Sequence, residues 1–232
     1  MTEVKNLETY LCLSSNKYSI YLIDKNKSEI LYNNEINIDY YVESFEYLSK
    51  FLDDNIFKLE KFVGKFIKNI IVIIDNNKTL SFDIGIKKNN YEKIPNTNYL
   101  KLILQETKDL FTQSYQDQKL MHMIVINYLI DGKNYSYLEN DLKSKEFCLQ
   151  INFISIPNNI SHDIQKVLEK YQIKANKYLD EGYVKNFFKG QDIVFPLMIN
   201  KILNGMNENE VQLVSKNEEN KGIFEKFFQL FN

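Results

Sequence analysis

Asp83-Ile84-Gly85, Asp75, His122, His162, Cys12 and Cys148 are the residues of this 232-residue chain whose types could do chemistry. Asp-Ile-Gly can open a loop that cradles phosphate. Such a loop needs a following glycine or hydroxyl residue to bring backbone N–H groups onto the anion. Ile86 and Lys87 follow here, so a strand simply continues. Asp75 ends a short apolar run, a position where α/β enzymes place carboxylates, but Asn76-Asn77-Lys78 behind it is ordinary turn chemistry. Neither histidine has a second ligand at metal spacing, and a zinc site needs four donors. The two cysteines are far apart, form no Cys-x-x-Cys, and read as reduced core thiols. No P-loop, dinucleotide-binding glycine triplet or nucleophile elbow is present. No two carboxylates read as an acid–base pair. These residues lead us to expect no catalysis, no cofactor and no metal.

The elements that would position such residues follow from hydrophobic period. Thr9–Leu13 and Tyr18–Asp24 read as a hairpin across Ser14–Lys17, and Glu29–Ile38 as a third strand. Phe45, Leu48, Phe51 and Leu52, then Ile56, Leu59, Phe62, Val63 and Phe66, follow helical spacing, with a break expected at Asp53–Asn55. Ile70–Ile74 and Thr79–Ile86 are strands, Asn89–Asn98 is a polar connection, and Leu100 to Phe111 marks a helix. Lys119–Ile130 and Phe147–Ile156 are long strands separated by the polar stretch Asp131–Glu146. Ser161 is expected to N-cap a helix carrying Ile164, Val167 and Leu168. A short strand at Ile173–Leu179 and helices at Tyr183–Phe188 and Ile193–Leu203 follow, the last closed by Gly205. Interleaved strands and helices with hairpins give an α+β class with a mixed sheet.

Composition removes other classes. Only 3 Pro and 7 Gly exclude collagen-like and low-complexity chains. All 29 basic residues are lysine, against 31 acidic ones, for a net charge of -2. Bidentate phosphate and guanine contacts are arginine chemistry, so nucleic acid is not an expected partner. The longest apolar run, Ile70–Ile74, is far below the roughly 20 residues of a spanning helix.

The last ten residues segregate completely when wound as a helix. Ile223, Phe224, Phe227, Phe228, Leu230 and Phe231 fall within an arc of about 160°, and Glu225, Lys226, Gln229 and Asn232 fill the rest. A Phe-rich face behind the polar tether Val214–Gly222 suits a helix lying in a membrane interface. The alternative is a last helix docked on the protein's own core. With charges nearly cancelling, lipid binding would be weak and reversible, and firm only when several copies assemble.

Three features together resemble the bacterial cell-division protein family FtsA, which is actin-like. Leu120-Met121-His122-Met123-Ile124-Val125 through Tyr128-Leu129-Ile130-Asp131 is similar to one family strand, and a second strand, a helix and Gln172-Ile173-Lys174 follow in the family's order. Asn76-Asn77-Lys78-Thr79-Leu80 through Asp83-Ile84-Gly85 resembles its strand pair. Gly222-Ile223-Phe224-Glu225-Lys226-Phe227-Phe228 looks like its membrane-targeting sequence. The resemblance implies half of an actin-like fold, ribonuclease-H-like, over residues 1–88 and 158–212. It implies an insertion subdomain of strand, helix, strand and strand at 89–157, a tether at 213–222 and a membrane helix at 223–232.

The family's first hairpin turn reads Asp-Ile-Gly-Thr. Here Ser14-Ser15-Asn16-Lys17 stands in its place, a degenerate phosphate loop without the carboxylate that helps hold the metal–phosphate unit. About 44 residues follow Phe188, so a second nucleotide-binding half is expected to be missing. The function implied is a non-catalytic adaptor on the cytoplasmic face of the inner membrane. Its partners would be division proteins, FtsZ or others, and it could self-associate. The alternatives are a PilM-like scaffold of a pilus or secretion assembly, whose group lacks such a terminal helix, and an enzyme of unknown chemistry.

Overall fold

Ile70–Ile74 is apolar at every position because it is buried on both faces, as central parallel strands are. It belongs to the first of two bodies in this computed structural model, which describes residues 6–38, 46–89, 97–136 and 146–211. The first body comprises Met1–Thr79 and Pro157–Met206; the second comprises Leu80–Ile156 and the segment that starts at Asn207.

The first body holds a five-stranded sheet. Its strands are β1 (Leu7–Ser14), β2 (Lys17–Asp24), β3 (Glu29–Asn37), β4 (Asn69–Ile74) and β9 (Lys174–Asp180), in the order β3-β2-β1-β4-β9. The β1–β2 and β2–β3 pairs are antiparallel, whereas β4 runs parallel to β1 and to β9. Helices cover both faces. Tyr10, Cys12, Ile71, Ile73 and Leu179 meet the layer of α4 (Glu181–Phe187) and α5 (Phe195–Leu203). The alternate side chains face α1 (Glu46–Val63) and α3 (Asn158–Glu169). On that side Tyr18 lies 6.2 Å from the Phe51 ring, and the Tyr178 hydroxyl donates to the Ser161 carbonyl at 3.0 Å.

Four local expectations are corrected here. Helix α1 runs unbroken through Asp53–Asn55. Asn55 points inward, where its carbonyl oxygen accepts from Tyr32 and Asn34 at 2.7 Å each, and its amide donates to the Phe51 carbonyl. The helix stops at Val63 because Gly64 takes the left-handed C′ position at φ 74°. That stop takes Phe66 off the inward stripe, and Phe62 is also exposed. Ser161 lies inside α3 rather than capping it: Pro157 is the N-cap, and the Ser161 hydroxyl donates back to the Asn158 carbonyl. The last helix begins at Phe195, with Pro196 in its first turn, where a missing N–H costs nothing.

The second body has a four-stranded sheet, β5-β8-β6-β7, with α2 (Thr97–Ser114) packed on one side. Strand β5 (Leu80–Asn89) is antiparallel to β8 (Glu146–Pro157) from Leu80↔Ser155 to Asn89↔Glu146. This strand was expected in the first body up to residue 88; its pairing puts the boundary at Thr79/Leu80 instead. Strand β6 (Gln118–Ile130) turns through Asp131-Gly132 into the short β7 (Lys133–Tyr135). Both turn residues have positive φ, the geometry of a tight hairpin turn. Inward positions on β6 slip from Met123 and Val125 to Tyr128 and Ile130, a one-residue shift of the kind a bulge makes.

Stacked rings fill this core. Phe111 and Phe153 lie 5.1 Å apart and 3° from parallel, and Phe82 packs 5.9 Å from Phe153. The segment from Asn207, expected with the first body, pairs with β6 instead. Val125 N–H donates to Asn209, and Val211 N–H donates to Met123. Beneath it, Glu210 lies 2.8 Å from His122 Nδ1, both side chains buried. His122 is therefore a structural residue, and His162 is exposed on α3.

Two outcomes are expected. Ile73→Ala should cost about 2–5 kcal/mol and Phe153→Ala about 3–5 kcal/mol, read from urea midpoints. Burial pushes Tyr128 and Tyr178 up to about 12. Unfolded tyrosines ionise near about pH 10. Stability is thus full below that point and lost as pH rises toward the folded values. Melting temperatures should fall from about pH 10 to about pH 12; a flat profile would contradict this.

Candidate functional site

Three parallel strands of the first body end at one rim. Strand β1 ends at Ser14, β4 leads into Asp75, and β9 ends at Asp180, which caps α4 by accepting from the Tyr183 N–H at 2.6 Å. Ligands of open α/β sheets bind beyond such carboxyl ends. Asp75 is held close, its N–H donating to the Leu13 carbonyl at 3.0 Å.

The turn Ser14–Lys17 is tight, and several of its groups are already bonded. Ser14 and Lys17 are already a strand pair, so only Ser15 and Asn16 are free of the ladder. The Asn16 carbonyl accepts from the Ile38 N–H at 2.7 Å. The Ser14 hydroxyl donates inward to Glu181 Oε2 at 2.6 Å. The Lys17 ammonium donates to Glu35 at 3.2 Å, and that bond raises its pKa. Glu181 itself is buried and paired with Lys185, one helical turn away. A buried carboxylate thus stands behind the turn, with Asp75 and Asp180 at the same rim. Burial, reinforced by Glu181, holds the Cys12 thiol well above its usual range, which keeps it protonated and unreactive.

Chemically, the side-chain donors Ser14, Lys17 and Lys185 at this rim are already engaged by carboxylates. Among the described residues, no group of three or more histidine, cysteine or acidic side chains is placed to hold a metal ion. Asp83 lies in mid-strand on β5, where its carboxylate accepts from the Asn152 amide at 2.8 Å. The residues Ile223, Phe224, Phe227, Phe228, Leu230 and Phe231 lie outside the described residues, as does the tether before them. Sequence reasoning missed Glu181, although Asp-Glu-Gly after an apolar strand is a recognisable helix start.

No protein-family model and no curated protein matches the sequence. Solved structures do match. The PilM–PilN type IV pilus biogenesis complex aligns at 10% identity and a TM-score of 0.53, over 78% of this chain and 49% of that one. The α+β fold with a mixed sheet is thus shared with a chain of that complex. Two weaker alignments were also found. The cytoplasmic domain of EpsL, from the type II secretion system of Vibrio cholerae, aligns at 10% identity and a TM-score of 0.38, over 77% of this chain and 57% of that one. A Bacteroides thetaiotaomicron protein with an actin-like ATPase fold aligns at 12% identity and 0.36, over 80% and 57%. The chain spans about half the length of the structures it matches. The division-specific FtsA resemblance gains nothing from the alignment with the PilM–PilN complex.

Glu181→Ala should leave the Ser14 hydroxyl and the Lys185 ammonium without their acceptor and cost about 1–3 kcal/mol. Glu181→Gln keeps an acceptor for Ser14 and should cost less, because Lys185 is half exposed. Equal urea midpoints for Glu181→Ala and the parent would contradict this geometry.

Proposed function

We propose that this protein is a non-catalytic adaptor that organises partner proteins of a membrane-bound assembly of the pilus or secretion type. The observation that carries the non-catalytic part is the Ser14–Glu181–Lys185 cluster. It places a buried carboxylate behind the first hairpin turn, where the resemblance to the FtsA family would put phosphate. The shared fold with a chain of the PilM–PilN complex supports a scaffold role and favours pilus or secretion over division. The Phe-rich stretch Ile223–Phe231 supports contact with the inner face of the bacterial inner membrane.

A division adaptor is the second reading. It is favoured by one feature, the likeness of Gly222–Phe228 to the membrane-targeting sequence of the FtsA family.

Calorimetric titration with magnesium ATP should show no saturable binding up to about 1 mM, the weak end of specific affinity. Clear micromolar binding would overturn the non-catalytic reading. In flotation with phospholipid vesicles, the full chain should rise with the lipid, and Phe227→Ser with Phe228→Ser should not. Equal flotation of the two would remove the membrane contact. A fluorescent fusion in the native host should gather at sites of pilus or secretion assembly, typically the poles; midcell bands would favour division.

A further inference from the structure

The exposed phenylalanines among the described residues all fall at one place in the first body. Phe57, Phe62 and Phe66 keep 71%, 55% and 80% of their surface in water, at the end of α1 and in the loop behind it. Every other described phenylalanine is buried or partly buried. Gly64 puts Phe66 there by ending the helix. Phe57 and Phe66 line one groove over Ile56 and Ile67, so they belong to one surface. Rings left in water together mark a surface that gains from being covered.

Lysines interleave with these rings. Phe57 and Lys61 are one helical turn apart, as are Lys58 and Phe62, and Lys65 and Lys68 flank Phe66. All four lysines are exposed, and among the described residues none of them is in an ion pair. Elsewhere Lys17, Lys25, Lys87 and Lys88 are each matched to a glutamate. Between Phe57 and Lys68 the four face a single carboxylate, Glu60, which accepts from the Ile67 N–H at 3.1 Å. Counting the flanking Asp53, Asp54 and Lys170 as well leaves five ammonium groups against three carboxylates. The patch is net positive on a chain whose net charge is -2.

That composition favours lipid over protein. Protein interfaces are enriched in aromatic residues but depleted of lysine, because an ammonium group there must lose its water or find a fixed partner. A bilayer makes no such demand. Rings enter the boundary between headgroups and acyl chains, lysine stems lie along them, and the ammonium groups stay among the headgroup phosphates. We propose that the end of α1 and the loop 64–68 form a contact surface for a bilayer containing anionic phospholipid. This surface lies on the folded first body and does not rest on the C-terminal stretch binding lipid. Two contacts on one chain act together, so each can be weak.

The test is an equilibrium sedimentation titration with sucrose-loaded vesicles, carried into the millimolar range of lipid, because flotation strips weakly held protein. The full chain carrying Phe227→Ser and Phe228→Ser isolates the surface. It should bind vesicles of phosphatidylcholine with one-third phosphatidylglycerol, and bind pure phosphatidylcholine at least about tenfold less well. Lys58→Glu, Lys61→Glu and Lys65→Glu together should weaken binding to the anionic vesicles at least about tenfold. Phe57→Ser with Phe66→Ser should weaken it similarly. Leu102→Ser with Leu110→Ser, exposed on α2 of the second body, should leave it unchanged. These side chains are exposed, so every variant should keep the parent melting temperature. No binding to the anionic vesicles, equal binding by the lysine and phenylalanine variants, or an equal loss in the Leu102 and Leu110 variant would overturn the proposal. The first of these would leave the patch to a protein or nucleic-acid partner. The difference in flotation between the unaltered chain and Phe227→Ser with Phe228→Ser reads the C-terminal stretch, so either result can fail without the other.

Discussion

Strand β4 pairs in parallel with β1 on one side and β9 on the other, and its five residues Ile70–Ile74 are buried by helices above and below. Parallel pairing cannot be closed by a hairpin, so the chain must travel a long way between these strands. α1 fills the path from β3 to β4, whereas the whole second body and α3 lie on the path from β4 to β9. The rim at Ser14, Asp75 and Asp180 exists because three strand ends are forced to coincide there. Removing apolar surface from the middle of β4 would loosen both helical layers and that rim together.

The rim has the layout of a ligand site, and its polar side chains are bonded to their neighbours. An open α/β sheet directs bound ligands to these carboxyl ends. A phosphate site there needs free N–H groups and a positive field. This protein fills the position with the Glu181 carboxylate and commits the side-chain donors of Ser14, Lys17 and Lys185 to carboxylates. Glu181 is buried, so leaving it unpaired would be expensive, and its partners are held by that cost.

The second body solves a different problem. Its sheet packs α2 on one side around stacked phenylalanines, and the strand pairs of β5–β8 and β6–β7 are antiparallel. Buried His122 and Glu210 would each be costly alone. Together they pin Asn209–Val211 against β6, immediately before the residues that lead to the Phe-rich segment.

Period and composition were enough to determine the α+β class, the β1–β2 hairpin, β4, β6, β8 and most helices, because side-chain alternation and helical spacing are local. The Asp131-Gly132 turn and the three-residue β7 behind it lay unread within the polar stretch Asp131–Glu146, because so short a strand shows no period. Other features were decided only by the tertiary structure. Strand β5 reads the same whichever sheet it joins, and its partner β8 fixed the choice. Phe66 fits a helical stripe until Gly64 ends the helix before it. Ser14 and Glu181 are 167 positions apart and His122 and Glu210 are 88 apart, so no window of sequence contains either pair. Local sterics act over a few residues, whereas the desolvation that forces buried polar groups to pair acts only after the chain's path has brought them together.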